Sequence, residues 1–141
     1  MKKHLIAILF FAATTFSFAQ KADTLIGSGI QPKVVVYYFH ITNRCNTCRK
    51  IEAKTIKTLD SLFSKEIKEG TLKFASYNCE IDENKELVKK YDAYGATLAV
   101  TISTDGTEIK TEDLTNWAFS TVNKTVGYEK ELAEKIRGFL K

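Results

Sequence analysis

Two cysteines three residues apart, Cys45 and Cys48, stand in the stretch Lys33 to Glu52, KVVVYYFHITNRCNTCRKIE. They follow an apolar run, Val34 to Phe39, and a short polar turn, and they open a stretch whose Ile51, Ile56 and Leu59 recur at helical spacing. The expected local structure is strand, turn, helix, with both thiols at the helix start and facing the same way. A helix N terminus presents four unpaired backbone N–H groups and the positive end of the helix dipole. Both favour a thiolate on the first cysteine, so this spacing suits thiol–disulfide exchange. A purely structural disulfide would close a very small loop and stabilise little.

Cys45 is the expected nucleophile and Cys48 the resolving thiol, and four neighbours could modulate them. Arg44 flanks Cys45 and either lowers its pKa or is simply solvated. His40 ends the strand as a proton shuttle, a metal ligand or, more commonly at such a position, a structural histidine. Glu52 lies one turn after Cys48 and either accepts the proton lost by the thiol or belongs to the helix surface. Cys79 is a third redox thiol, a third soft metal ligand, or a small buried residue, the usual state of a free cysteine.

The chain has 141 residues, enough for one ordinary domain and one core. Its 44% hydrophobic and 27% charged residues are those of a globular protein. The formal charge of +4 has interspersed signs, which excludes a nucleic-acid stripe and an acidic tail. One proline and seven glycines exclude a linker-rich chain.

Residues 1–19 read as a signal peptide. Met1 to His4 is a basic start, Leu5 to Ala13 an apolar run, and Ser17-Phe18-Ala19 a cleavage site before Gln20. The apolar run is shorter than the roughly 20 residues a membrane span needs, which speaks against an uncleaved anchor. The expected mature protein is exported, periplasmic or secreted, and holds all three cysteines in an oxidising compartment. An odd number in so small a set is no disulfide framework.

Residues 20–32 form a polar lead-in with one apolar pair, Leu25-Ile26, readable as a loose arm or a short edge strand. Residues 33–141 carry the elements. Val34 to Phe39 suits a strand covered on both faces. Ile51, Ile56, Leu59, Leu62, Phe63 and Ile67 trace a helix to a C-cap at Gly70, with a bend near Thr58 or Ser61. Leu72 to Tyr77 alternates as a strand, and Asp82 is the expected N-cap of a helix through Leu87 and Tyr91 to Gly95. Thr97 to Ile102 is a strand, Thr104-Asp105-Gly106-Thr107 a hairpin turn, and Glu108 to Lys110 a short strand. Glu112 to Phe119 is a short helix with Trp117 and Phe119 inward, and Tyr128 to Leu140 an amphipathic helix. Trp117, Tyr128 and Phe139 are expected in the core. Two crossovers predict parallel neighbours and the hairpin an antiparallel edge.

From residue 33 to about 140 this order around Cys-x-x-Cys resembles the thioredoxin superfamily. Phe74-Ala75-Ser76-Tyr77-Asn78 resembles that family's second core strand, and Val88-Lys89-Lys90-Tyr91 through Gly95-Ala96-Thr97-Leu98 its approach to the active site. The resemblance implies an α/β, thioredoxin-like fold: a mixed central sheet of about four to five strands with helices on both faces. Three departures accompany it. The family's Trp-Cys-Gly-Pro-Cys is here Arg44-Cys45-Asn46-Thr47-Cys48, so the family's redox poise does not transfer. The cis-proline beside the cysteines is replaced by Gly95 or Ala96, because the one proline is Pro32. A cis bond before a non-proline residue costs about 2.5–4 kcal/mol, so a trans bond and an altered groove at Gly95, Ala96 and Thr97 are expected. The family's buried aspartate of the first strand aligns with Phe39, which removes the usual proton acceptor.

The resemblance implies an exported thiol–disulfide oxidoreductase, divergent from housekeeping thioredoxins. Its partners would be protein thiols or disulfides and a recycling redox protein, with no nucleic acid, no stable membrane insertion after cleavage, no cofactor and a monomeric state. The alternative is a module holding a soft ion such as Cu(I) on the same cysteines, with no second Cys-x-x-Cys or methionine cluster to complete the site. A thioredoxin fold without catalysis is the third reading.

Overall fold

A computed structural model describes residues 31–124 and 127–141. The expected signal peptide and the Leu25-Ile26 pair lie outside the described residues. Ten elements follow in order. They are β1 (Val34–His40), α1 (Asn46–Leu62), α2 (Ser64–Lys68), β2 (Leu72–Asn78), a 3₁₀ turn (Asp82–Asn84), α3 (Lys85–Lys90), β3 (Thr97–Thr104), β4 (Thr107–Asp113), α4 (Thr115–Thr121) and α5 (Tyr128–Leu140).

The four strands form one mixed sheet in the order β2-β1-β3-β4. Successive side chains of a strand point to opposite faces, and β1 uses both. Val34, Val36 and Tyr38 enter a core with Ile51 and Leu59 of α1, Phe63, Leu132 and Ile136 of α5, and Ala118 of α4. Phe39 and Tyr37 enter a smaller cluster with Val88 of α3, Ala93 and Tyr91. Helices therefore cover both faces, and β1 is buried along nearly its whole length.

One expected pairing is corrected. β1 and β2 are parallel, but β3 runs antiparallel to β1, with Phe39 opposite Thr97 and Val34 opposite Ile102. The 3₁₀ turn and α3 span only Asp82 to Lys90. At about 1.5 Å per residue that is roughly 14 Å, too short to return along a seven-residue strand of about 23 Å. The chain therefore starts β3 at the end where β2 finished.

The helix after the cysteines breaks at Phe63, two residues beyond Ser61, where the backbone turns to φ −134°. Its inward face is Ile51, Thr55, Thr58 and Leu59, with the threonine hydroxyls bonded to Tyr128 Oη at 2.8 Å and to the Lys54 carbonyl at 2.8 Å. Ile56 does not join the core: it is exposed, because it sits about 140° around the helix from Ile51. Leu62 is exposed as well, and Phe63 takes the inward place once the helix has ended. Gly70 closes α2 as expected. Its φ is +75°, its N–H donates to the Ile67 carbonyl and that of Thr71 to the Glu66 carbonyl, a Schellman cap.

Asp82 is not an N-cap; it lies inside the 3₁₀ turn, and its carboxylate pairs with Lys85 at 2.8 Å. The hairpin turn forms with φ positive at Asp105 and Gly106, the conformation a two-residue turn between twisted strands requires. β4 is longer than its expected core of Glu108 to Lys110. α4 is shifted to Thr115–Thr121; Trp117 stacks on Tyr128 at 4.9 Å, whereas Phe119 faces solvent. Phe139 packs against the main core, and α5 has the expected bounds.

Candidate active site

The site forms where β1 ends. His40 pairs with Asn78, so the loops after β1 and β2 emerge at the same end, and Thr97 opposite Phe39 brings the start of β3 there too. The loop from β1 is stapled to β2. Asn78 donates its amide to Thr42 Oγ1 at 3.0 Å, and the Thr42 N–H donates to Glu80 Oε2 at 2.9 Å. Hydrogen bonding from the Thr42 hydroxyl and then its N–H holds the Glu80 carboxyl below its ordinary pKa.

That loop delivers Cys45 as the N-cap of α1. Cys45 and Cys48 form a disulfide, with 5.1 Å between their Cα atoms. The Cys48 N–H donates to Cys45 Sγ at 3.0 Å, so one of the orphan amides of the helix start points at the Cys45 sulfur. Cys45 is exposed and Cys48 half-buried. An incoming sulfur therefore reaches Cys45 first. Arg49 donates to Asn46 Oδ1 at 2.9 Å and tightens the first turn.

Beneath the pair lies a polar cluster. Tyr38, 1% exposed, donates its hydroxyl to the Cys48 carbonyl at 2.8 Å. Arg44 is ion-paired to Glu52, and Ser76 Oγ donates to Glu52 Oε1 at 2.6 Å. The Arg44 and Glu52 side chains are only 20% and 16% exposed. Glu52 is thus not a free surface residue, and Arg44 is not a solvated arginine. Sequence reasoning missed Tyr38 and Ser76. The available signal was positional: they face each other in the β1–β2 register, and Tyr38 places a polar tip in an apolar run.

Cys79, half-buried, and His40 have their partners away from the disulfide. The Cys79 thiol donates to the Ala93 carbonyl at 2.8 Å, lies 3.7 Å from that of Gly95, and packs in the cluster on the face opposite α1. Burial pushes its pKa up, which disfavours the reactive thiolate. His40 Nδ1 meets the Ile41 carbonyl at 3.0 Å, and its own carbonyl accepts from the Cys79 N–H at 2.7 Å. Among the described residues no three His, Cys, Asp or Glu side chains are grouped to hold a metal.

Gly95, Ala96 and Thr97 are half-buried at this same end, and the described residues contain no cis peptide bond. The trans geometry expected before Ala96 is therefore observed. A Cβ at Gly95 would meet nothing within 4 Å, so the backbone there is open to an approaching chain.

Burial pushes the hydroxyls of Tyr38 and Tyr128 up to about 12; at Tyr38 Glu52 adds to the rise and Arg44 opposes it. The folded state thus keeps both protons where the unfolded chain, with an ordinary pKa near 10, releases them. Stability is expected to be level below about pH 10 and to fall between about pH 10 and 12. Thermal midpoints across that range check this, and Tyr128→Phe should flatten part of the fall.

No family model matches the chain, and no curated protein matches it. Among solved structures it is similar to Fasciola hepatica thioredoxin, with 21% identity, 77% of this chain and 83% of that one covered, and a TM-score of 0.47. A structure described as a malarial protein matches at 16% identity over 77% of this chain and 99% of that one, with a TM-score of 0.47. Mitochondrial thioredoxin 3 from Saccharomyces cerevisiae in its oxidised form matches at 16% identity over 77% and 80%, with a TM-score of 0.45. At these scores the fold rests on its own topology. A mixed β2-β1-β3-β4 sheet, helices on both faces and a Cys-x-x-Cys disulfide opening α1 from the end of a central strand make this a thioredoxin-like fold.

Proposed function

We propose that this chain is an exported thiol–disulfide oxidoreductase acting on protein thiols and disulfides, as a monomer, through Cys45 and Cys48. One observation carries the reading: the exposed Cys45 sulfur caps α1 and accepts the Cys48 N–H, with the half-buried Cys48 disulfide-bonded to it. In the reduced protein the same amide and the helix dipole stabilise a Cys45 thiolate.

In one direction the Cys45 thiolate attacks one sulfur of a substrate disulfide. A mixed disulfide forms and one substrate thiolate leaves. Cys48, having lost its proton, attacks Cys45 Sγ and expels the second substrate thiolate. Two electrons have passed to the substrate, and the Cys45–Cys48 disulfide remains for a dithiol partner to reduce. The reverse sequence oxidises a substrate dithiol.

A protein substrate suits the surroundings. Ile41, Ile81 and Tyr94, the last 70% exposed, stand on the loops at this end of the sheet, beside the open backbone of Gly95. None of the helices among the described residues is long and apolar enough to cross a membrane. Export rests on the basic start, apolar run and Ser17-Phe18-Ala19 of the first nineteen residues. Mature protein whose first residue is Gln20, recovered outside the cytoplasm, is the expected mark of it.

The decisive experiment is a redox titration of the mature protein in glutathione buffers. Cys45 and Cys48 are expected to interconvert as one two-electron couple. A midpoint near about −270 mV assigns a reductant and one near about −120 mV an oxidant. A dithiol that forms no disulfide at any poise overturns the function and brings soft-metal binding forward.

A further inference from the structure

We propose that Glu52 is a positioning residue that pairs with Arg44 and offsets its charge next to Cys45, keeping the thiol less acidic and the couple more reducing than the flanking arginine alone would make them. The inference rests on the redox reading of Cys45 and Cys48.

Arg44 immediately precedes Cys45, which would ordinarily place a cation beside the thiolate. Its guanidinium pairs with Glu52, which lies one turn after Cys48 on α1. The second Glu52 oxygen is held by Ser76 of β2, so the carboxylate is fixed from two sides. The pair is mostly covered, which weakens solvent screening and makes each charge matter more than on open surface. Both charges are felt at one point of the site, the Tyr38 hydroxyl bonded to the Cys48 carbonyl, where Glu52 and Arg44 act in opposite directions. Of the other charged or titratable groups nearby, His40 meets the Ile41 carbonyl, Glu80 accepts from Thr42 and Lys50 donates to Asn123, while Arg49 bonds Asn46 between the cysteines and is unchanged in every variant below.

The two residues therefore act with opposite sign. Removing Glu52's charge leaves a net cation near the sulfurs and stabilises the Cys45 thiolate. Removing Arg44's charge leaves a net anion and destabilises it. A net unit charge within about 10 Å, even at an effective dielectric of about 40, changes an ionisation by roughly fourfold or more.

The test measures the pH dependence of iodoacetamide alkylation of Cys45 in the fully reduced protein, with the modified residue located by mass spectrometry. Glu52→Gln, which keeps the side-chain shape and an acceptor for Ser76, is expected to raise the thiolate fraction below the pKa about fivefold. Arg44→Gln should lower it by a similar factor. The double variant should return close to the parent, and Arg44→Lys should stay within about twofold. At a pH above the Cys45 thiol pKa, the midpoint potential of Glu52→Gln should rise by about 20 mV, the equivalent of fivefold for a two-electron couple. A loop that is merely loosened shifts both single variants the same way. That result, or shifts below about twofold in both, overturns the proposal. Alkylation reads the thiol whether or not the pair cycles, so failure of the redox titration leaves this test standing.

Discussion

Cys48→Ser should accumulate a covalent adduct with protein substrates, visible as a mass increase that dithiothreitol removes. The exposed Cys45 still attacks, and its thiolate still has the residue 48 amide and the helix start to stabilise it. What is lost is the second sulfur that resolves the mixed disulfide. Cys45→Ser should instead lose exchange by about a thousandfold or more, because a hydroxyl does not replace a thiolate as the nucleophile. It should give no adduct, because Cys48 is half-buried. Cys79→Ala should stay within about twofold of the parent, since that thiol is bonded to carbonyls on the opposite face of the sheet. An adduct that persists in Cys45→Ser but vanishes in Cys79→Ala would invert the assignment of nucleophile.

Tyr128→Ala is expected to cause the largest loss of stability outside the disulfide. The ring is fully buried where α5 meets α1, stacked on Trp117, with its hydroxyl 2.8 Å from that of Thr55. Truncating a buried aromatic residue costs about 3–5 kcal/mol, and the Thr55 hydroxyl would be left without its partner. For a domain of this size that corresponds to a fall in Tm of roughly 15 °C. Tyr128→Phe keeps the ring and should cost about 1–2 kcal/mol through the lost hydrogen bond. Denaturant unfolding of the reduced and oxidised forms measures both. A cost below about 1.5 kcal/mol for the alanine variant would mean that α5 does not depend on this contact.

The parts of the fold that were legible are those governed by neighbours in the chain. The change from the strand run Val34–Phe39 to the 3.6-residue rhythm after Cys48 placed the cysteines at a helix start. Gly70 and Asp105-Gly106 marked a helix end and a turn because each needs a positive φ. The apolar face of Tyr128 to Leu140 marked α5 to its ends. The readings that failed required knowledge of distant packing. Ile56 and Phe119 are apolar but point outward, while Thr55 and Thr58 point inward because hydrogen bonds satisfy them. Asp82 failed for a different, local reason: its turn is 3₁₀, and its exposed carboxylate pairs with Lys85 three residues on.

The sequence by itself determined the chemistry at hand: two thiols at the start of a helix fed by a buried strand, in a chain whose pattern alternates strands and helices. Those features depend on spacing along the backbone, and spacing is written in the residues. The tertiary structure alone decided that β3 runs antiparallel to β1, since that depends on how far α3 can reach. It alone decided that Arg44 pairs with Glu52, whose carboxylate Ser76 on a neighbouring strand also holds. A charge's effect on a thiol follows distance and burial in space, which adjacency in the chain does not specify.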